Sequence, residues 1–374
     1  MLKSLRLQNF KCFSDQTISL APFTLLSGVN GMGKSSSIQA LLALRQSSVY
    51  GCLNKKLQIN GELIHLGSAD DVVFEDASEN IIAFELEMQG KRHGLSSKQN
   101  YTFSVDNDSK QLLRDKADSK TSYSKISLFA DKFAYLGAER LGPRTSHAAP
   151  SPVQTAYNLI GSGGEYCAHM LFQHESRSVP NQKLCLKQEG QRRFLASVRS
   201  QVELWLSRVG QEARLSLQYY PQMDLVNLLF SFVSQGIPTK GYKPTHVGFG
   251  LSYVLPIFTA VLTASRGSLI LIENPEAHLH PKGQSIVGEF LALAASCGMQ
   301  IIVESHSDHL LNGMRRAVKK GIIAPTDVAL NFFTRDKGTL ATKVIVPTVG
   351  ENGRISEWPE DFFDEWEKSL VDLL

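Results

Sequence analysis

The sequence predicts an α/β fold with a split core, an antiparallel β subdomain and an inserted helical lobe. Three observations carry this. The apolar run Phe23-Thr-Leu-Leu-Ser leads straight into a glycine loop and a helix-forming stretch. From Gly267 onward, apolar strands alternate with helical patterns, the rhythm of a parallel sheet covered on both faces. Between these ends come alternating strand patterns, then apolar residues at three- and four-residue intervals.

Taken in order, Leu2-Lys-Ser-Leu-Arg-Leu and Thr17-Ile-Ser-Leu alternate apolar and polar residues and predict strands. Phe23 to Ser27 is a buried-type strand, and Lys34 to Gln46 has helical composition. Ile81 to Met88 and Tyr101 to Val105 predict an antiparallel meander with polar turns at Gly90 and Asn107. The Asp-, Lys- and Ser-rich stretch from Asp106 to Lys125 predicts an exposed loop or insertion. Phe133-Ala-Tyr-Leu-Gly predicts a strand, and Val153 to Val233 a helical lobe with few strand signals. Strand Leu269 to Ile272, helix Lys282 to Ala295, strand Gln300 to Val303 and helix Asp308 to Lys320 follow. Strands near Val328 to Phe333 and Lys343 to Pro347 complete the pattern. The expected division is a first half of the core at 1–150, the lobe at 151–240 and a second half at 241–374.

Composition bounds the rest. The 374 residues are 43% hydrophobic and 20% charged, the profile of an ordinary globular chain. A formal charge of +3 is too small to imply a polyanion partner. Five cysteines without a C-x-x-C pair argue against a zinc ribbon or disulfide framework and fit a reducing cytosol. Met1-Leu-Lys-Ser-Leu-Arg lacks a signal peptide's apolar core, and Val254 to Leu262 is too short to cross a bilayer. A cytoplasmic location without membrane contact is expected.

Gly28-Val-Asn30-Gly31-Met-Gly33-Lys34-Ser35 matches G-x-x-x-x-G-K-[ST] between a strand and a helix, the context that motif requires. Its glycines let backbone N–H groups converge on phosphate oxygens, and the helix N-terminus adds a positive dipole end. Lys34 would neutralise the β- and γ-phosphates and Ser35 would ligate Mg²⁺. ATP and Mg²⁺ are therefore the expected cofactors, bound by Asn30, Gly31, Gly33, Lys34, Ser35 and Ser36. A second segment, Leu269-Ile-Leu-Ile-Glu273-Asn274-Pro-Glu276-Ala-His-Leu-His-Pro281, places a carboxylate at a strand end, where Glu273 would complete the Mg²⁺ site. Alone, it reads equally as a core strand ending in a solvated acid. In a third, Ile301-Ile-Val-Glu-Ser-His306-Ser-Asp308, a histidine just past a buried strand suits either a γ-phosphate contact or a structural role.

These pieces resemble the RecF, OLD and structural-maintenance-of-chromosomes ATPases. Leu5-Arg-Leu-Gln-Asn-Phe-Lys-Cys-Phe resembles their opening strand, Glu273 to Pro281 their Walker B and D-loop, and Ser305-His306-Ser-Asp their switch histidine. The resemblance is strongest over 1–50 and 245–312, and implies an ABC-type P-loop ATPase head. Trp358-Pro-Glu-Asp-Phe-Phe-Asp364 resembles the tail of a compact bacterial branch. The resemblance also makes Gly248-Phe-Gly250-Leu-Ser252-Tyr the signature segment. Its Gly250 and Ser252 would contact ATP on an opposite protomer, implying a head-to-tail homodimer or a higher oligomer.

One departure affects the chemistry. Walker B normally ends in Asp-Glu, but here the pair is Glu273-Asn274, and an amide cannot act as a general base. Either Glu276 or His306 takes that role, or hydrolysis is slow and ATP mainly holds a dimer closed. Arg140 and Arg144 flank a Gly-Pro turn, suiting a phosphate, nucleic acid, a partner protomer or surface ion pairs. Gln39 lies inside the P-loop helix, and Gln46 is a candidate water-positioning residue. Arg315, Arg316, Lys319 and Lys320 read as a solvated helix end.

Three functional classes remain. A self-contained OLD nuclease needs a ~100-residue Toprim domain, for which too little chain follows His306. An ATP-gated switch subunit controlling a separate effector, such as a nuclease or toxin in anti-phage defence, is favoured. The alternative is a RecF-like DNA-binding repair ATPase, although the mild charge demands no DNA path.

Overall fold

The computed structural model describes residues 1–89, 96–106, 111–115, 126–187, 196–234, 236–335, 338–339, 341–359 and 373. They form two compact units. The first contains Met1–Asp131, Pro325–Gly350 and the stretch from Arg354; the second contains Lys132–Ala324 and Glu351–Gly353.

The first unit begins with β1 (Leu2–Phe10), β2 (Phe13–Ser19), β3 (Phe23–Gly28), α1 (Lys34–Val49), β4 (Lys56–Leu57), β5 (Ile81–Gln89), β6 (Ser96–Asp106) and β7 (Gln111–Arg114). The sheet order is β2-β1-β5-β6-β7-β4, antiparallel throughout. Its period-two pattern is clearest in β5, where Ile82, Phe84, Leu86 and Met88 are buried. Phe84 meets Phe10 edge-on at 5.2 Å, so one face forms the core of this β subdomain.

The expected loop over 106–125 needs correction where it is described. Gln111–Arg114 is a strand because Leu112 is buried and Arg114 stacks over Tyr101 at 4.7 Å while donating to the Leu53 carbonyl. Residues 107–110 and 116–125 lie outside the described residues, as do the predicted turns at Gly90 and Asn107.

The second unit contains β8 (Phe133–Leu136), β9 (His147–Ala148), α2 (Pro152–Tyr157), α3 (Cys167–His174), α4 (Val198–Val209), β10 (Ala213–Tyr220), β11 (Leu225–Ser234), β12 (Ile237–Pro238) and α5 (Phe249–Thr263). Then come β13 (Leu269–Glu273), α6 (Pro281–Ser296), β14 (Gln300–Glu304) and α7 (Asp308–Lys319). Strands β8, β13 and β14 run parallel with β13 central, and every residue of β13 and β14 is buried. That is why both read as unbroken apolar runs.

The segment expected to be helical up to Val233 is helical only as far as α4. Ala213 to Ser234 is an antiparallel hairpin, β10 with β11, turning at Asp224 with φ 49°. Its signal is alternation: Ala213 and Leu215 are buried on one strand, and Val226, Leu228 and Phe230 on the other.

Helices α4, α5 and α6 meet through Trp205, Phe258 and Phe290, with Trp205 and Phe290 centred 4.5 Å apart. Helices α6 and α7 touch backbone to backbone. A Cβ on Gly288 would lie 2.2 Å from the Leu310 carbonyl oxygen, and one on Gly313 would lie 2.1 Å from that of Ser285. The basic end of α7 is partly tied down: Lys320 pairs with Glu289 at 2.6 Å, and Arg315 donates to the Gly353 carbonyl.

The chain returns to the first unit with β15 (Val328–Arg335) and β16 (Thr342–Ile345). β15 runs parallel to β3 but antiparallel to β16, so the sheet expected to be parallel has an antiparallel edge. Buried Asn331 bonds both backbone groups of Ser19, fastening β15 to the end of β2. No helix among the described residues is long and apolar enough to cross a membrane.

Candidate functional site

In the first unit, β3 feeds the loop Gly28–Gly33 into α1. Gly28, Gly31 and Gly33 have φ of 134°, 77° and 90°, conformations that an L side chain rarely adopts. A Cβ on Gly33 would lie 2.5 Å from the Cys12 sulfur and one on Gly28 2.2 Å from the Phe333 carbonyl oxygen, so packing closes both ends of the loop. A Cβ on Gly31 would meet nothing, so the middle of the loop is open. Helix α1 has no side-chain N-cap and no acid in its first turn. A helix N-terminus of this kind carries the positive end of the helix dipole, which suits an anion.

Lys34 is buried at 3% exposure, and its Nζ donates to the Gly28 and Val29 carbonyls at 2.9 Å each. Ser35 and Ser36 lie half-buried in the first turn, and Asn30 is exposed. Gln46, considered above as a water-positioning residue, has a structural role instead. It is fully buried, its Oε1 accepts from the Leu63 and Ile64 amides, and its Nε2 donates to the Gln58 carbonyl. Gln39 accepts a bond from Lys11 at 2.7 Å.

In the second unit, β13 and β14 end side by side at Glu273 and Glu304, both buried. Burial pushes the Glu273 carboxyl above its ordinary value, opposed by the Tyr135 hydroxyl, which donates to it at 2.8 Å, and by Arg140. Asn274 follows in the left-handed region at φ 44°, where asparagine is among the few tolerated residues. Its backbone amide donates to the Glu304 carbonyl, while its Oδ1 is buried without a hydrogen bond among the described residues.

Glu276 and His306, far apart in sequence, come together here. The His306 backbone N–H donates to Glu276 Oε1 at 2.9 Å. Glu276 Oε2 is buried without a hydrogen-bond partner among the described residues. Burial raises this carboxyl too, with the His306 amide the main opposing influence. Ser307 caps α7 through the Leu310 amide and binds Gln284, which fixes the loop after β14.

Helix α5 starts at Phe249 with Gly248 as its N-cap. Gly250 is pressed against the segment after β13: a Cβ there would lie 2.7 Å from the His278 carbonyl oxygen. Ser252 Oγ is buried without a hydrogen bond among the described residues.

Arg140 corrects an earlier alternative. It is 3% exposed and in no ion pair among the described residues; its guanidinium donates to the Gly137, Glu273 and Asn274 carbonyls and lies 5.5 Å over the Tyr253 ring. Burial lowers it to about 10, so it stays charged at neutral pH. Sequence reasoning marked the residue but not this role, because two of its three acceptors, the Glu273 and Asn274 carbonyls, lie more than a hundred positions away. Arg144 is exposed.

Three family models match parts of the chain. "AAA ATPase domain" matches residues 1–136, and "AAA domain, putative AbiEii toxin, Type IV TA system" matches 215–312. "Protein of unknown function (DUF3696)" matches 323–373, which includes the tail at 358–364; residues 360–364 lie outside the described residues. No curated protein matches the sequence. Among solved structures, an Smc head bound to the C-terminal winged-helix domain of ScpA aligns over 94% of this chain and 98% of its own, with TM-score 0.55 and 11% identity. An Smc head with an extended coiled coil, bound to the C-terminal domain of ScpA derived from Pyrococcus furiosus, aligns over 100% of this chain and 99% of its own, with TM-score 0.51 and 13% identity.

The fold is that of an ABC-type ATPase head. With both AAA matches, the chain is an ATPase. The glycine loop lies in the first unit, and the acidic strand ends Glu273 and Glu304 lie in the second.

Proposed function

We propose that this chain binds MgATP at the Gly28–Ser36 loop, hydrolyses it with Glu276 as general base, and uses the cycle to switch a separate effector protein. The observation that carries the reading is the phosphate loop itself. Left-handed glycines, an open centre at Gly31, an uncapped α1 and a lysine held against the loop fit a polyphosphate. Asn30, Gly31, Gly33, Lys34, Ser35 and Ser36 bind nucleotide in this reading.

Ser35 and Glu273 would hold Mg²⁺, which neutralises phosphate charge when bound. The donor set fits: a hydroxyl and a carboxylate are hard oxygen ligands of the kind Mg²⁺ prefers. Glu276 would take the proton of the attacking water, with one oxygen fixed by the His306 amide and the other without a hydrogen bond. His306 would contact the γ-phosphate through its ring. Gly250 and Ser252 would meet the ATP of a second protomer in a head-to-tail dimer.

Control of an effector is a reading at family level. The AbiEii-like match and the ScpA-bound Smc heads support an ATPase that docks a partner protein, and anti-phage defence is the setting proposed. The divisions 1–150, 151–240 and 241–374 are kept as functional parts, with the middle segment as the docking lobe. The test is nucleotide binding by Lys34→Ala. An ATP affinity reduced at least ~100-fold with the circular dichroism spectrum retained supports the reading. Unchanged affinity would overturn it.

A further inference from the structure

The segment that follows β13 is held from two sides, and one side chain reaches both. At its start, the Arg140 guanidinium spans the Glu273 and Asn274 carbonyls, with a third bond to Gly137 O at 3.2 Å just past β8. At its end, His278 sits in the left-handed region at φ 61° beneath the first turns of α5. Tyr253 meets the His278 ring edge-on at 4.5 Å, Phe249 lies 5.4 Å from it, and Gly250 rests on its carbonyl. Arg140 closes the circuit, because the face of Tyr253 lies 5.5 Å from its guanidinium carbon.

A planar fork suits this task. Two adjacent carbonyls at a left-handed turn diverge, and guanidinium N–H groups can meet both while the flat face stays against a ring. An ammonium supplies a point charge without that geometry. Glu276 leaves the chain two residues beyond the Asn274 carbonyl that Arg140 holds. Gly250 and Ser252 belong to the helix turns that Tyr253 anchors.

We propose that Arg140 is a positioning residue that joins the turn carrying Glu273 and Glu276 to the signature helix α5, so that the two are placed as one body. The proposal deepens the ATPase reading above and, for its catalytic consequence, rests on it. Arg140 touches no reacting atom in this scheme; it acts through the backbone of Glu273 and Asn274 and through Tyr253.

The experiment compares wild type, Arg140→Lys and Tyr253→Leu by amide hydrogen exchange on the full chain without nucleotide. Steady-state ATP turnover follows on the same samples. Arg140→Lys is expected to speed exchange about tenfold in peptides covering both 273–279 and 249–255, with α6 and α7 unchanged. Tyr253→Leu, which leaves the carbonyl bonds in place, is expected to speed exchange over 273–279 as well. In turnover, both variants should lose kcat by about 10- to 100-fold, as slight misplacement of a catalytic group does, at a KM within about threefold of wild type.

The joint is overturned if Arg140→Lys affects 273–279 alone, or if Tyr253→Leu leaves that segment unchanged. A KM increase with kcat retained would overturn the catalytic consequence. Should Arg140→Lys loosen the whole chain, the Tyr253→Leu exchange result decides. A wild type that binds no ATP would sink the ATPase reading instead, while the exchange data still decide the joint.

Discussion

Replacing Glu276 with glutamine isolates the proposed general base with little change in shape. The amide oxygen can still accept the His306 N–H that Oε1 accepts at 2.9 Å, so the loop after β14 keeps its anchor. What disappears is the carboxylate's ability to take a proton. General-base catalysis contributes roughly 10²- to 10⁴-fold, so kcat should fall by that factor, equivalent to about 2.7–5.4 kcal/mol of transition-state stabilisation. Phosphate release across an ATP titration reads kcat and KM, and a fluorescent ATP analogue reads affinity, which should stay within about threefold.

Stability gives an independent check on the same variant. Burial raises the Glu276 carboxyl above its ordinary 4.5, so its favourable contribution is present below that value and is lost as pH rises through the folded-state pKa. Glutamine does not titrate. The variant should therefore gain stability relative to wild type as pH rises from 4 to 8, measured as the urea midpoint at each pH. Turnover within about threefold of wild type would refute the base assignment, and a simultaneous loss of ATP affinity would show that Glu276 serves binding.

Three further substitutions test separate steps. Gln46→Leu leaves the buried Leu63 amide and the half-buried Gln58 carbonyl without their Gln46 bonds, at about 1–3 kcal/mol for the amide and less for the carbonyl; the urea midpoint should fall while ATP affinity stays within threefold. A selective loss of turnover would instead return Gln46 to the water-positioning role. Gly313→Ala places a methyl 2.1 Å from the Ser285 carbonyl oxygen, forcing α6 and α7 apart at a cost of about 1–3 kcal/mol by thermal denaturation. Asn274→Glu moves a less tolerant residue into φ 44°; it should destabilise the protein by about 1 kcal/mol without raising turnover.

The parts legible in the sequence were those with short-range signatures. The glycine loop is contiguous, and its left-handed glycines follow from their spacing; β13 and β14 are unbroken apolar runs because both faces are covered. The β10–β11 hairpin is hidden because its alternation is diluted by apolar residues out of step with it, exposed Tyr220 and half-buried Leu225 and Leu229. β7 is only four residues long and rests on Leu112 and Arg114. The roles of Arg140 and Gln46 stay open in the sequence for one shared reason: polar side chains that bond backbone groups leave no sequence pattern, since every residue offers the same N–H and C=O.

Asn274 is constrained by the backbone as well as by the chemistry. The turn after β13 needs a left-handed residue, with its amide on Glu304 O and its carbonyl shared by Arg140 and the Ala277 amide. Asparagine meets that demand at lower cost than glutamate, so its presence reflects backbone geometry as well as the loss of a base. If the carboxylate has moved to Glu276, glutamate at 274 starts from the wrong point and should not replace it. The double variant Asn274→Glu/Glu276→Gln is therefore expected to recover less than threefold of the turnover lost in Glu276→Gln. Recovery beyond tenfold would place the base at 274, leave Glu276 as the anchor of the His306 loop, and make the wild-type chain a long-lived ATP clamp.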